Sequence, residues 1–226
     1  MAAKKKSSSK KSNTTGLLIA VLVMMLVVMT ASLLNIYKLR QSVSNDGQIV
    51  ESDVISNEFK NKFYTIGNNA TEINKEYFKS LNDSVESGDK TAIAEDVVKC
   101  FVSEYYTWTN KDGNYDVGGM QYIYPDRQSD FAAYTRDNFY SSMDNYLHGN
   151  KRSSLIEIQD VAITGSEEGT ADVMNADGAP VNYPCINVSA TWTFVPGSVM
   201  NTGTIQSGAT FTVIDHDGRM EIAAIQ

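Results

Sequence analysis

IAEDVVKCFVSEYYTW, residues 93–108, has the apolar spacing of a long helix that is buried over most of its surface. One apolar stripe follows the helical repeat of 3.6 residues and consists of Ile93, Val97, Cys100, Phe101, Tyr105 and Trp108. Further apolar residues widen it: Ala94, Val98, Val102 and Tyr106. A stripe of this width is typical of a helix cradled by a sheet. Gly88-Asp89 precedes the helix, and the polar run 110–114 is expected to end it.

The sequence after Lys151 changes from a helical repeat to the repeat of two that is typical of strands. Residues 186–194 alternate strictly between apolar and polar side chains, which predicts a strand with one core face and one wet face. Two further strands, 209–214 and 220–225, flank the hairpin turn signal Asp215-His216-Asp217-Gly218. Helices come first and antiparallel strands follow, so we predict an α+β domain with a sheet wrapped around the long helix.

The strand that opens the sheet is predicted to be irregular. The apolar alternation at 156–158 shifts register at 161–163, which indicates a bulge near Asp160. A turn at 165–169 is expected to follow and to lead into a short strand at 171–174.

Two other regions have helical patterns. Residues 38–88 are predicted to form a membrane-proximal stalk of two amphipathic helices, with a break at 66–69. A further helix is expected from about Ser129 to Leu147, with Gly149 as its C-terminal stop.

Residues 16–34, GLLIAVLVMMLVVMTASLL, contain no charged residue and match a hydrocarbon core of about 30 Å. With the interfacial residues up to Tyr37, they predict a transmembrane helix over 16–37. Five lysines precede this span, so the disordered basic tail 1–15 is expected in the cytoplasm and the rest of the chain outside the cell membrane. A cleaved signal peptide is the alternative, but its apolar region would be unusually long, and Met29 occupies a cleavage position that requires a small residue.

Charge and cysteine content limit the partners and the crosslinks that we expect. Residues 1–40 contain seven basic residues and no acidic one. The rest of the chain therefore contains 12 of the 19 basic residues and all 27 acidic residues. Such an excess of negative charge repels phosphates, so direct nucleic-acid binding by the outer domain is not expected. Cys100 and Cys185 form either a disulfide or two small buried side chains, and the sequence leaves both open.

Residues suited to catalysis or metal binding are few. His148 at a helix end and His216 in the hairpin turn are both expected at the surface. Asp112, Asn114 and Asp116 have the alternating spacing that opens a calcium loop, but the Gly and Glu that such a loop requires further on are missing. We therefore expect no catalytic residue, no cofactor and no metal site.

The aromatic residues between 105 and 124 are unusually dense: Tyr105, Tyr106, Trp108, Tyr115, Tyr122 and Tyr124. Core packing and a partner groove are both compatible with this density, since Tyr and Trp combine a large contact area with a polar tip. Both interpretations predict that Tyr105 and Trp108 are buried, and they diverge at Tyr122 and Tyr124. These four residues are the candidate partner contacts.

Four stretches carry a family resemblance: AEDVVKCFVSEYYTWTNKDGNYDV from Ala94, YPDRQSDFAAYTRDNFYSSMDNYL from Tyr124, VSATWTFV from Val188 and ATFTVIDHDGRMEIAAI from Ala209. Together with the basic tail and the single span, they resemble the bitopic assembly subunit of type IV secretion and conjugation machines. The resemblance covers about residues 89–226 and implies that this part has the cystatin-like fold shared with nuclear transport factor 2.

The function that the resemblance implies is non-enzymatic. Such a subunit is a membrane-anchored scaffold that contacts other channel subunits and further copies of itself. The long stalk departs from the compact versions of the family and favours a Gram-positive conjugation system. The alternatives within the same fold are an extracytoplasmic sensor or small-ligand-binding domain and an isomerase-like enzyme. A cavity above roughly 300 Å³ with convergent polar groups would favour a ligand, whereas an interior filled by side chains would favour a scaffold.

Overall fold

The computed structural model describes residues 59–67 and 69–226. Their fold is α+β, with four helices and a four-stranded antiparallel sheet among the described residues. The predicted tail 1–15, the predicted transmembrane helix 16–37 and the first part of the predicted stalk lie outside them. Within the described residues, no helix combines the length and the hydropathy that crossing a membrane requires.

The elements follow the predicted order of helices and then strands. The helices are α1 (Glu72–Ser87), α2 (Lys90–Tyr105), α3 (Pro125–Asp137) and α4 (Met143–Gly149). The strands are β1 (Ile158–Met174), β2 (Pro180–Phe194), β3 (Gly208–His216) and β4 (Arg219–Ile225). The sheet is a meander in the order β1-β2-β3-β4, so β1 and β4 are its edge strands.

Helix α2 forms the centre of the core. The Asp89 side chain caps its N-terminus by accepting hydrogen bonds from the backbone N–H groups of Thr91 and Ala92. Ten of its 16 residues are buried, which leaves it little solvent face, as expected for a helix packed on a sheet. The helix ends before the apolar stripe does. Trp108 lies beyond it, because its backbone N–H pairs with the carbonyl of Ile156 at 2.8 Å.

Strand β1 is longer than the sequence indicated. Its pairing with β2 shifts register at Asp160 and again before Gly165, and the first shift confirms the predicted bulge. The predicted turn at 165–169 is wrong, because Gly165 and Gly169 both lie in the ladder with β2. The second register shift absorbs the irregularity, so the strand continues unbroken through 171–174.

The remaining strands confirm their sequence patterns. In β2 the core-facing residues are buried, and they are Ile186, Val188, Ala190 and Trp192. The polar residues between them are half-buried or exposed. The β3–β4 turn has Asp217 at φ 53° and Gly218 at φ 83°, both in the left-handed region that a two-residue hairpin turn of type I′ requires.

The C-terminal part of the predicted stalk belongs to the domain core. Phe78 and Leu81 of α1 are fully buried in the same hydrophobic cluster as α2 and the sheet. Upstream of α1, Tyr64 is 2% exposed, and its hydroxyl donates a 2.6 Å hydrogen bond to the carbonyl of Met220 in β4. The domain therefore begins well before residue 89, and only the residues before Phe59 are left for a stalk.

The helix predicted from Ser129 to Leu147 is two helices. The backbone of Asn138 leaves the helical region, with φ −118° and ψ −94°, and ends α3. The backbone N–H of Tyr140 then reaches back to the carbonyl of Thr135 at 2.9 Å, which turns the Tyr140 ring into the core, where it is fully buried. The break thus coincides with the burial of Tyr140, and α4 begins at Met143.

Candidate functional site

A cleft of about 560 Å³ lies between helix α3 and edge strand β4. Its lining residues are Phe101, Tyr105, Tyr106, Ile123, Arg127, Asp130, Phe131, Tyr134, Gln206 and Ile222–Ile225. We call it the α3–β4 cleft. Its size falls within the range of pockets that bind ligands or peptide segments in other proteins.

One wall of the cleft is a single face of α3. Arg127, Asp130, Phe131 and Tyr134 are spaced three and four residues apart, so they lie on the same side of the helix. Pro125 in the first turn fixes the start of the helix beside β4. The Tyr134 side chain is 67% exposed, so this wall ends in a large aromatic surface that solvent reaches.

The opposite wall is the free backbone edge of β4. Four consecutive residues of the strand line the cleft, although successive side chains point to opposite faces, so the cleft runs along the backbone. Tyr124 donates its backbone N–H to the carbonyl of Ile222 at 2.9 Å and covers the start of this edge. Further on, Gln226 exchanges both backbone hydrogen bonds with Thr210 of β3. In an antiparallel ladder the preceding residue, Ile225, therefore turns its N–H and C=O toward the cleft side.

The floor of the cleft is aromatic. The Tyr105 ring stacks on Phe101 at 5.3 Å between centroids and contacts Phe131 at 5.4 Å. Burial raises the pKa of Tyr105, and its hydroxyl lies 3.3 Å from the Thr135 hydroxyl. The Tyr106 hydroxyl donates a 3.0 Å hydrogen bond to the Gln206 side chain. The floor thus offers apolar area with its polar tips already paired.

Of the four predicted partner contacts, only Tyr105 lines the cleft. Trp108 and Tyr122 are fully buried in the core, and the Tyr122 hydroxyl donates to the Glu104 carboxylate at 3.2 Å. Tyr124 is 2% exposed and belongs to a separate small cluster with Val173, Cys185 and Ile214. At Tyr122 and Tyr124, where the two interpretations diverged, the structure therefore has core packing.

Sequence reasoning missed Phe131, Tyr134 and the β4 edge. The three- and four-residue spacing of Arg127, Phe131 and Tyr134 was a readable signal for one helix face. The exposed edge of β4 could not be predicted from the sequence, because it depends on which strand lies at the edge of the sheet.

The two histidines have different surroundings. His148 is exposed at the end of α4, as predicted. His216 lies at the end of β3 and is 31% exposed, with its Nδ1 2.9 Å from the Glu221 carboxylate. Its ring packs against those of Tyr124 and Tyr183 at 5.2 and 5.7 Å. Burial raises the pKa of Glu221, and the neighbouring His216 and Arg219 oppose that shift. This network ties β3 to β4 and to the segment before α3.

The residues weighed for metal and disulfide chemistry have other contacts. The Asp112 side chain pairs with Arg152 at 3.1 Å, and Asp116 accepts the backbone N–H of Asp112. Among residues 59–67 and 69–226, no group of His, Cys, Asp or Glu is placed to hold a metal ion. Cys100 and Cys185 are both buried free thiols, and burial raises the pKa of each.

The α3–β4 cleft combines a backbone edge that is paired at Ile222 and open at Ile225, an aromatic floor, and a helix face with one cation and one anion. Chemically, this arrangement can pair with an extended polypeptide and hold its side chains. No family model, no curated protein and no solved structure matches the chain.

Proposed function

We propose that this chain is a membrane-anchored, non-enzymatic assembly subunit of a type IV secretion or conjugative DNA-transfer channel, in a Gram-positive cell. Residues 16–37 anchor it in the cell membrane with the N-terminus in the cytoplasm. The outer domain has a cystatin-like fold, and its α3–β4 cleft binds an extended segment of a neighbouring channel subunit. The order of helices before an antiparallel meander supports this fold, as does the packing of α2 on the sheet.

The observation that carries the proposal is the free edge of β4 beside an apolar floor. A partner strand that pairs with this edge gains backbone hydrogen bonds, and its alternate side chains enter the cleft and supply specificity. Phe101, Tyr105 and Phe131 are available to pack against those side chains. Tyr134 is placed at the exposed rim, where aromatic side chains contribute strongly to binding.

The interior between α2 and the sheet supports a scaffold. It is filled by fully buried side chains, with Phe101 packed on Phe211 at 5.9 Å and Val188 completely inaccessible. A cystatin-like enzyme or a closed ligand chamber requires open space at this position. The α3–β4 cleft opens beside this packed region, where the C-terminal end of α2 and strand β4 face α3.

A small-ligand-binding or sensor domain is the second candidate. The observation in its favour is the cleft volume of about 560 Å³, with Arg127, Asp130 and Gln206 as polar groups on its lining. The exposed position of Tyr134 argues against it, since a small ligand gains most from a site that encloses it.

The test is photo-crosslinking in the native membrane of cells that carry the channel. Benzoylphenylalanine replaces Tyr134 in the full-length chain, and the matched control carries it at Tyr115, which is 68% exposed and does not line the cleft. We expect a covalent adduct with another channel subunit from position 134 and not from position 115. Equal labelling at both positions, or none at 134, overturns the proposal for the cleft.

The membrane orientation is tested separately by adding protease to intact cells. We expect digestion of the outer domain and protection of an N-terminal tag. An outer domain that survives, while known surface proteins are digested, removes the basis for the channel assignment.

A further inference from the structure

Strand β1 lies at one edge of the sheet, and its outer side has a covered part and an open part. At its start, the backbone N–H of Val161 donates to the Tyr77 hydroxyl at 2.8 Å, and that of Ile158 donates to the Thr107 hydroxyl at 3.1 Å. Between residues 166 and 174, the strand backbone bonds only to β2 among the described residues. We call residues 166–174 the β1 free edge.

The register of the sheet identifies which backbone groups of this edge point outward. The backbone N–H of Trp192 bonds to the carbonyl of Ser207 on the β3 side, so the even-numbered residues of β2 turn toward β3 and the odd-numbered ones toward β1. The β1 residues opposite the odd-numbered positions of 181–187 are therefore hydrogen-bonded to β2. The β1 residues between them turn their N–H and C=O groups to the open side: Ser166, Glu168, Thr170, Asp172 and Met174.

The other side of the same hairpin is protected by prolines. Pairing between β2 and β3 stops at Cys185, so residues 180–184 of β2 also have an open side. Pro180 and Pro184 occupy outward-facing positions there, and proline has no N–H to offer to a further strand. The β1 free edge contains neither a proline nor a bulge. One side of the hairpin thus excludes a further strand, and the other side is able to accept one.

The β1 free edge is also acidic. Its charged residues are Glu167, Glu168 and Asp172, and β1 contains no lysine or arginine. Within the part of the chain that the structure describes, none of these three carboxylates forms an ion pair. Glu168 and Asp172 are exposed, and their side chains point to the same face because they lie four residues apart. A strand that pairs here therefore meets two uncompensated carboxylates on one face.

These charges oppose pairing with a second copy of this chain. An antiparallel β1–β1 pair centred on Thr170 places Glu168 opposite Asp172 of the other copy. Like charges directly opposite each other destabilise a pair of strands. Every other register brings the acidic residues of both copies onto one surface. The edge is therefore matched to a strand of opposite charge and not to itself.

We propose that the β1 free edge binds an extended basic polypeptide segment, which adds a strand to the four-stranded sheet. The segment pairs with the outward N–H and C=O groups of the edge. Its lysine or arginine side chains, four residues apart, face Glu168 and Asp172. Because β1 and β4 are opposite edges of the sheet, this surface is separate from the α3–β4 cleft. The proposal does not rest on the channel assignment.

The test is peptide binding to the full-length chain in neutral detergent micelles at low salt, measured by fluorescence anisotropy. The probe is a labelled synthetic peptide as long as the β1 free edge, made of threonine and valine with a pair of arginines four residues apart. We expect saturable binding of this probe. A peptide with glutamates in place of the arginines is expected not to bind measurably. Equal binding of the two peptides, or no binding of the probe, overturns the proposal.

Two further peptides separate strand pairing from simple attraction between opposite charges. In one, the backbone nitrogens of the arginines and of every second residue along the probe are methylated, which keeps the charge but removes the N–H groups that face β1. In the other, the arginines are three residues apart and lie on opposite faces of a strand. We expect the methylated peptide to lose binding. We expect the other to bind up to about fivefold more weakly, which is the contribution of one cross-strand ion pair.

The outcomes of these two controls differ in what they contradict. A methylated peptide that binds as tightly as the probe overturns strand pairing. Equal binding at both arginine spacings overturns the contact with Glu168 and Asp172.

Variants of the chain locate the binding at this edge. Thr170→Pro removes an outward N–H in the middle of the β1 free edge and no hydrogen bond to β2. We expect it to lose binding of the probe while its melting temperature changes little. Thr170→Val keeps the N–H and the β-branched shape, so this matched control is expected to bind as the wild type does. A folded proline variant that binds normally overturns the assignment to this edge.

Glu168→Gln gives a second measurement that does not depend on the fold of the proline variant. It is expected to weaken binding of the probe by up to about fivefold. Glu86→Gln makes the same change of charge at an exposed residue of α1, outside β1, and is expected to leave binding unchanged. Equal affinities of the two variants overturn the assignment, because the probe would then respond only to the overall negative charge.

Discussion

The Tyr140 hydroxyl donates a 2.7 Å hydrogen bond to the backbone carbonyl of Tyr105, the last residue of α2. Both residues are buried, and the bond connects the break between α3 and α4 to the C-terminal end of the central helix. The unpaired carbonyls at a helix end need partners from elsewhere in the fold, and here a single tyrosine provides one.

Removal of this hydroxyl tests its contribution. Tyr140→Phe leaves a buried carbonyl without its donor, so we expect the free energy of unfolding to fall by about 1–3 kcal/mol. Urea denaturation followed by tryptophan fluorescence measures the change. Tyr134→Phe is the matched control, because the Tyr134 side chain is 67% exposed, and it is expected to leave stability unchanged. Equal effects of the two variants would contradict the structural role of Tyr140.

The extent of the domain is tested at Phe78 of α1. Because this side chain is fully buried in the common core, Phe78→Ala is expected to lower the free energy of unfolding by about 3–5 kcal/mol. Lys79→Ala changes the neighbouring exposed residue and is expected to have an effect within about 0.5 kcal/mol. If α1 were an independent stalk, both substitutions would leave the unfolding of the remaining domain unchanged in the same denaturation experiment.

Strand pairing in the α3–β4 cleft is tested at Ile225. Ile225→Pro removes the backbone N–H on the cleft side, whereas Gln226 keeps its bonds to Thr210. We expect the crosslinking yield from position 134 to fall sharply while the melting temperature changes little. Ile225→Thr keeps the N–H and the β-branched shape, and its yield is expected to match the wild type. A proline variant that crosslinks normally would show that the partner does not pair with this edge.

The pH dependence of stability is expected to involve Glu104. Burial of its carboxyl group raises the pKa of Glu104 above the ordinary value of 4.5, so the folded state keeps this proton to a higher pH than the unfolded state does. Where the folded state binds more protons, the free energy of unfolding decreases as pH rises. The decrease begins near pH 4.5 and is complete above the folded-state pKa.

Glu104→Gln removes this titration. We expect the unfolding free energy of the wild type to fall relative to that of the variant as pH rises above 4.5, measured by urea denaturation at several pH values. A difference that stays constant over this range would contradict a raised pKa at Glu104.

The regular parts of the fold were predictable because their sequence periods match their burial. The apolar stripe from Ile93 to Tyr105 corresponds to the buried face of helix α2. The alternation from Ile186 to Phe194 corresponds to the buried face of strand β2. The hairpin at Asp217-Gly218 was predictable because only a few residues accept a left-handed backbone. These features depend on local chemistry alone.

The errors arose where tertiary contacts override local pattern. Gly165 and Gly169 signal a turn in any short window, but pairing with β2 holds them in a strand. The break at Asn138 accompanies the burial of Tyr140, a residue that fits a continuous helix equally well. In the candidate site, Trp108 and Tyr122 could not be distinguished from Tyr105, since aromatic residues suit both cores and binding surfaces.

The attachment of Tyr64 to β4 has a mechanical consequence. The Tyr64 hydroxyl is bonded to the Met220 carbonyl, and the Arg219 guanidinium lies 4.9 Å from the centre of its ring. Tension applied to the chain upstream of Phe59 therefore reaches helix α1 at Asn61, whose side chain donates a 2.8 Å hydrogen bond to Asn82, and then β4 at Tyr64. The strand that lines the α3–β4 cleft thus shares with α1 any load that enters through the chain before Phe59.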